Sequence, residues 1–359
     1  MEKKALIAMS GGVDSSVAAL LCQQAGFDCM GVTLKLYDNE DAGLPREKTC
    51  CSVDDVADAR SVAFRLGMPF YVFNFKEAFR REVMDRFVQA YERGETPNPC
   101  VDCNRYIKFE RLMRRGEEVG FPYIATGHYA RVEFDGAAGR WLLKKGLDEN
   151  KDQSYMLWSL TQWELSRLLL PLGGLTKERV RQLAEEHGFL NARKRDSQDI
   201  CFVPDGDYAA FIRRYAGKEF PPGAFVGTQG QVYGQHKGII HYTVGQRKGL
   251  GLSFPQPMFV KELDVEKNRV VLAKAEELFS QEVIARDINL ISVESIPAPL
   301  RVKARVRYRQ KEQPATVLQT GPDELRVVFD KPQRAVTPGQ SLVLYDGDTV
   351  VGGGKIARK

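Results

Sequence analysis

Absences narrow this sequence before any motif does. No apolar run approaches the roughly 20 residues a membrane helix needs; Val17 to Cys22 is among the longest, which argues against a membrane span. Histidine is scarce, at 4 residues, and positions 128, 187, 236 and 241 lack metal-ligand spacing, which argues against a histidine-rich zinc site. Cysteine stops at Cys201, and an odd total of 7 in so long a chain argues against a disulfide framework. The glycine turn described below lacks both the Gly-Lys-Ser/Thr of a P-loop and the spacing of the dinucleotide fingerprint. No internal repeat stands out. The net charge of +5 is too small for total charge alone to argue for nucleic acid.

The remaining composition is that of a globular enzyme. The 359 residues suggest two or three domains, and 43% hydrophobic with 28% charged residues excludes a disordered or fibrous chain. The N-terminal stretch before the first glycines is too short for a signal-peptide core, so a cytoplasmic location without membrane attachment is expected.

From Lys4 onward, short apolar runs alternate with helical periodicity. Lys4 to Met9 reads as a buried strand, and Val13, Val17, Leu20 and Leu21 follow helix spacing up to Gly26. Strands are expected at Cys29–Leu34, Phe70–Phe75 and Tyr123–Thr126. Helices are expected from a Ser52 cap to Leu66, near 79–93 and near 105–119. This alternation predicts an α/β fold whose parallel sheet is covered on both faces. Near 205 the chain turns glycine-rich and mixed, with a hairpin turn at Glu266–Asn268. Past 281 it reads as strands punctuated by Gly321-Pro322-Asp323 and Asp346-Gly347, which suggests a small barrel. Domains are therefore expected at 1–205, 206–280 and 281–359.

Three features carry chemistry. Ser10-Gly11-Gly12-Val13-Asp14-Ser15-Ser16 joins the first strand to the first helix, aiming backbone N–H groups and a positive helix end at one spot suited to a pyrophosphate. Thr96-Pro97-Asn98-Pro99-Cys100-Val101-Asp102-Cys103 sets Cys103 at or near a helix N-terminus, where a thiolate is favoured. Asp196-Ser197-Gln198-Asp199-Ile200-Cys201-Phe202 holds a further cysteine just before the composition changes. Cys22 and Cys29 sit in core-like stretches, and Cys50-Cys51 precedes a capped helix, so all four read as structural.

The glycine loop resembles that of the ATP-pyrophosphatase superfamily, which cleaves ATP to AMP and pyrophosphate while adenylating an oxygen. That loop alone leaves amidotransferases, synthetases and thiolases open. With the cysteine segments, and with Ala125-Thr126-Gly127-His128-Tyr129, Lys151-Asp152-Gln153-Ser154-Tyr155, His241-Tyr242-Thr243-Val244-Gly245-Gln246-Arg247, Arg307-Tyr308-Arg309-Gln310 and Thr337-Pro338-Gly339-Gln340, the chain closely resembles the tRNA-specific 2-thiouridylases over essentially its whole length.

The resemblance implies an N-terminal parallel-sheet ATP-pyrophosphatase (adenine nucleotide alpha hydrolase-like) domain, a small central mixed domain and a C-terminal β-barrel that binds tRNA. It implies ATP held by Ala8, Met9, Ser10, Gly11, Gly12, Val13, Asp14 and Ser15, with Leu34 and Gly127 near the nucleotide and magnesium on the triphosphate, Asp14 assisting. Cys201 would take sulfur from a donor or relay protein as a persulfide, and Cys103 would release it, leaving a transient Cys103–Cys201 disulfide. Asn98, Pro99 and Cys100 would line the target base of a tRNA anticodon loop. His128, Lys151, Asp152, Gln153, Arg307, Tyr308 and Gln340 would contact tRNA. One departure is Cys100, where many relatives carry Asp; Cys100, Cys103 and Cys201 could then hold an iron–sulfur cluster with one iron open.

Independently, Arg301, Lys303, Arg305, Arg307, Arg309 and Lys311 alternate with Val302, Ala304, Val306 and Tyr308. As one strand, that spacing aligns six cations on a single face, an arrangement suited to a phosphate backbone.

Overall fold

The computed structural model describes residues 2–38, 53–194 and 200–358. Ser52, Cys50, Cys51 and Asp196 to Asp199 lie outside the described residues. The chain divides into two compact units. The first comprises residues 1–83, 99–206 and 348–350, and the second comprises 84–98, 207–347 and 351–359.

The first unit is built on a five-stranded parallel sheet. Its strands are β1 (Lys4–Ala8), β2 (Asp28–Lys35), β3 (Phe70–Asn74), β4 (Tyr123–Ala125) and β7 (Leu168–Leu169), in the order β3-β2-β1-β4-β7. In β1, Ala5, Leu6 and Ile7 are fully buried, as befits a strand covered on both faces. Burying side chains such as Leu6 and Ile7 contributes about 1.5–3 kcal/mol each. Helix α1 (Val13–Gln24) packs Val17, Ala18 and Ala19 into this core, beside α2 (Val53–Arg65). The expected cover fails at edge strand β3, where Tyr71 and Val72 are exposed. An antiparallel hairpin of β5 (Ala130–Asp135) and β6 (Arg140–Lys145) follows β4.

Strand order positions the site. β1 has β2 on one flank and β4 on the other, so connections after β1 and β4 leave the carboxyl edge in opposite directions, the topology at which α/β sheets place ligand crevices. The glycine loop follows β1, and Gly127-His128 follows β4.

The second unit holds two sheets. One is mixed and four-stranded, with β8 (Gly223–Gly227), β9 (Val232–His236), β10 (Phe259–Asp264) and β11 (Arg269–Ala273) in the order β10-β11-β8-β9. The β10–β11 hairpin turns through Asn268 at φ 47°, as the sequence predicts. The other is a six-stranded barrel of β12 (Phe279–Leu290), β13 (Leu300–Arg305), β14 (Gln313–Gly321), β15 (Glu324–Arg334), β16 (Ser341–Asp346) and β17 (Thr349–Ile356). They run β12-β15-β14-β13-β16-β17, and β17 pairs back to β12 to close the barrel. Val302, Ala304, Val306, Val317, Val327 and Leu344 fill it.

The basic stripe departs from expectation. β13 ends at Arg305, so Arg307, Arg309 and Lys311 lie outside it, and no single strand carries six cations. Acidic partners also break the one-sign face. Arg301 forms two 2.8 Å bonds with Asp330, and Arg305 meets Glu312 at 2.9 Å. Only the alternation of exposed 301 and 303 with buried Val302 and Ala304 survives.

Candidate functional site: a phosphate loop and two cysteine segments

The loop after β1 is braced from within. Gly11 adopts φ +74°, and a Cβ there would strike the backbone of Asp55, with its Cα 2.8 Å away. Gly12 is the N-cap of α1 and supplies no side-chain cap to the first-turn N–H groups. The serines turn inward. Ser15 Oγ donates to Gly12 O at 3.0 Å, Ser16 Oγ donates to the same carbonyl at 3.1 Å, and Ser10 N donates to Ser15 Oγ at 3.2 Å. Asn191, buried, donates from Nδ2 to Gly11 O and Ser16 Oγ, both at 2.9 Å. The result is an internally braced loop at the N-terminus of α1, where unpaired first-turn amides suit an anion.

The loop after β4 closes on it. A Cβ on Gly127 would lie 2.7 Å from Asp14 C and 2.8 Å from Ser15 N, so only glycine permits this approach. Both Asp14 oxygens hold internal bonds: Lys177 Nζ donates to the two oxygens at 2.7 and 2.8 Å, and the Tyr129 hydroxyl donates to Oδ1 at 2.7 Å. Leu34 is buried near the carboxyl end of β2, and Ala8 and Met9 lead from β1 into the loop.

His128 faces Thr126, whose Oγ1 lies 2.8 Å from Nδ1, and the Phe109 ring stands 5.8 Å away. Desolvation, with Lys108 nearby, pushes its pKa down to about 3, so the ring is neutral at physiological pH. Neighbouring residues make internal bonds. Gln153 Oε1 accepts from Tyr129 N at 3.0 Å, and Gln153 N donates to Tyr129 O at 2.9 Å. Asp152 is buried and accepts from Gly146 N, Ser154 N and Ser154 Oγ at 3.0 to 3.1 Å. Lys151 stays partly exposed beside them.

The cysteine segments converge on one short helix. Residues 99–118 form a nearly continuous helix: Pro99–Asp102 is α-helical, Cys103–Arg111 is π-helical, and Leu112–Glu118 is α-helical again. Pro99 takes the first position, where its missing N–H costs nothing. This corrects one expectation. Cys100, not Cys103, occupies the first turn, and the helix field falls off within that turn. Cys103 opens the π segment, 8% exposed, whereas Cys100 is exposed. Next to it, buried Asn104 donates to Met156 O at 3.0 Å. Cys201 is half-buried, and its carbonyl accepts from the Tyr37 hydroxyl at 2.6 Å. Tyr37 packs on Phe79, and Phe79 on Phe202, each at 5.8 Å. The helix Lys76–Phe79 also contacts the π segment, so it adjoins both cysteine segments.

Cys100, Cys103 and Cys201 all lie among the described residues, and no group of three that could hold a metal ion occurs among them. Cys22 and Cys29 are buried, and desolvation raises their pKa to about 12 and about 11. Such thiols stay protonated and inert. Thiol alkylation of the folded protein at pH 8, followed by peptide mass spectrometry, should therefore mark Cys100 at least about 100-fold faster than Cys22 or Cys29. Equal rates would contradict this burial pattern.

In the second unit, two residues expected to touch tRNA also make internal bonds. One Arg307 Nη2 donates to Val244 O, Ala335 O and Thr337 Oγ1 at 2.9, 3.1 and 2.5 Å. Gln340 Nε2 donates to Thr96 O at 2.7 Å, while Thr96 N donates to Pro338 O at 2.9 Å. These bonds pin the strip that ends at Asn98. Tyr308 lies in the turn after β13. Tyr37, Lys177 and Asn191 were not anticipated from the sequence. Thr176-Lys177 does read as a helix start, but nothing local links it to Asp14.

Three family models match the chain. One described as tRNA methyl transferase HUP domain covers residues 3–205, one described as tRNA methyl transferase PRC-barrel domain covers 209–274, and one described as aminomethyltransferase beta-barrel domain covers 280–356. The tRNA-specific 2-thiouridylase of Clostridioides difficile is 50% identical over 358 residues, spanning 100% of this chain and 99% of its own. That of Thermoanaerobacter sp. is 51% identical over 357 residues, spanning 99% and 98%. That of Acetivibrio thermocellus is 50% identical over 356 residues, spanning 99% of each.

Proposed function

Because the chain belongs to the family of tRNA-specific 2-thiouridylases, we propose that it uses ATP to replace the 2-oxygen of an anticodon wobble uridine with sulfur. The observation carrying this reading is the pairing, in one unit, of an uncapped phosphate loop with two cysteine segments that share a contact helix. A methyl transfer, which the family models' descriptions would suggest, has no use for a sulfur-carrying pair.

The chemistry divides into two steps. The uridine 2-oxygen attacks the α-phosphorus of ATP, pyrophosphate leaves, and the oxygen becomes part of a good leaving group, AMP. The amides of Gly11 to Ser15 hold the phosphates, the positive end of α1 favours their charge, and Gly127 keeps the opposite wall close. Magnesium bound to the triphosphate would offset part of that charge. Sulfur then arrives on Cys201 as a persulfide from a donor or relay protein. The Cys103 thiolate attacks the Cys201 sulfur, the terminal sulfur leaves as hydrosulfide, and a Cys103–Cys201 disulfide forms. Hydrosulfide adds at C2 of the uridine and AMP departs. An external dithiol returns both cysteines to thiols.

Neutral His128 suits a hydrogen bond to a flipped base better than a charge contact to phosphate. Gln340, through Thr96, holds the strip carrying Asn98, one of the target-base residues. Mass spectrometry of tRNA nucleosides after incubation with the protein, ATP and a sulfur source tests the reading. Absence of 2-thiouridine with a competent sulfur supply would refute it.

Within the 301–311 stripe, phosphate contacts fall to Lys303, Arg309 and Lys311, which are exposed. Alanine at all three should weaken tRNA binding and lower the log–log salt slope by somewhat under one unit per lost contact, about two to three units in all. Filter-binding titrations at several salt concentrations measure it, and an unchanged slope would show these side chains to be merely solvated.

A further inference from the structure

Asp14 lies in the first turn of α1, where the helix amides invite an anion. A bare carboxylate there would repel the triphosphate. It is not bare: Lys177 Nζ bridges both oxygens at 2.7 and 2.8 Å and the Tyr129 hydroxyl adds a 2.7 Å bond. The lysine is itself anchored. Its side chain is 11% exposed, its ammonium stands 5.9 Å from the Tyr129 ring centre, and its backbone N–H donates to Asp148 Oδ2 at 3.0 Å. Thr176 caps the helix that Lys177 begins. Gly127 lies against the Asp14–Ser15 backbone, so the backbone that carries Asp14 cannot shift toward it without a clash.

We propose that Lys177 is a positioning residue for the ATP step: its ammonium cancels the Asp14 charge, so the loop presents a net positive field to the polyphosphate, and Asp14 is a strut rather than a magnesium ligand. The inference rests on the loop being the ATP site. It predicts that ATP affinity follows the formal charge of the pair.

The test uses the full chain, with ATP affinity measured by equilibrium dialysis and AMP formation followed in the presence of tRNA and magnesium. Lys177→Met leaves a net negative charge and should weaken ATP binding on the order of 30-fold. Asp14→Asn leaves a net positive charge and should tighten it by a comparable factor, on the order of 10- to 30-fold. The double variant, neutral again, should regain most of the loss, and Lys177→Arg should bind better than Lys177→Met. Thermal melts establish folding, with Lys177→Gln replacing Lys177→Met should the latter fail to fold. Wild-type affinity in Lys177→Met overturns the proposal. So does a double variant as weak as Lys177→Met, which would mean that the ammonium grips phosphate itself. So does an Asp14→Asn protein that loses AMP formation unless magnesium is raised, the mark of a metal ligand. Wild-type protein that binds ATP yet makes no thionucleoside would refute the thiolation reading while leaving the charge rule intact.

Discussion

Serine at Cys103 or at Cys201 should each lower 2-thiouridine formation by at least about 10³-fold, to background. Sulfur carried as a persulfide needs a carrier thiol, and its release by disulfide formation needs a second; a hydroxyl does neither. Misfolding should not blur the result. Cys103 is buried among other side chains, but serine is smaller, and the cost should be about 1 kcal/mol. Cys201 is only half-buried. ATP binding should survive in both variants, because the loop's bonds are made by serines, Asn191 and backbone. Nucleoside mass spectrometry beside ATP dialysis separates the two effects. Wild-type yield from either variant would remove that cysteine from the mechanism, and Cys100→Ser should lose less than both.

Gly11→Ala should cost both stability and ATP use, the latter by at least about 100-fold. Gly11 holds a left-handed conformation, which costs a side chain about 1–2 kcal/mol. The added Cβ would also press on Asp55 backbone, its carbonyl carbon 2.9 Å away, and backbone cannot rotate aside as a side chain can. The loop must shift, taking its amides with it. Gly12→Ala is the matched control. Gly12 lies at φ −87°, and its nearest neighbour would be Ser10 Oγ at 3.5 Å, an ordinary contact. That variant should melt like the wild type, so any loss of ATP affinity would report how closely the phosphate approaches. Calorimetry with ATP dialysis checks both; an unchanged melting temperature for Gly11→Ala would show that the bracing is weak.

What could be read in advance followed how local each feature is. β1, α1 and the glycine turn were legible because strand burial, helix spacing and a positive φ are encoded within a few residues. The barrel turns at Gly321-Pro322-Asp323 and Asp346-Gly347 were legible for the same reason. The β5–β6 hairpin was not, since Ala130–Asp135 is largely unburied and carries only a weak alternation. The basic stripe misled because alternation persists in sequence after β13 has ended, and because Asp330 and Glu312 are remote in sequence. Cys103 was set too near the helix start since Pro99, not Cys103, begins the helix. Lys177 and Asn191 meet the loop from 163 and 180 residues away, a distance no motif spans.

The strip at 84–98 is grouped with the second unit although it falls early in the chain, and Gln340 and Pro338 are bonded to Thr96 within that unit. Anyone wishing to transplant the barrel and its neighbouring sheet into a chimera must therefore carry these residues along as a separate donor fragment. A single cut near residue 206, the natural choice from a linear map, would leave Gln340 with a foreign segment to hold.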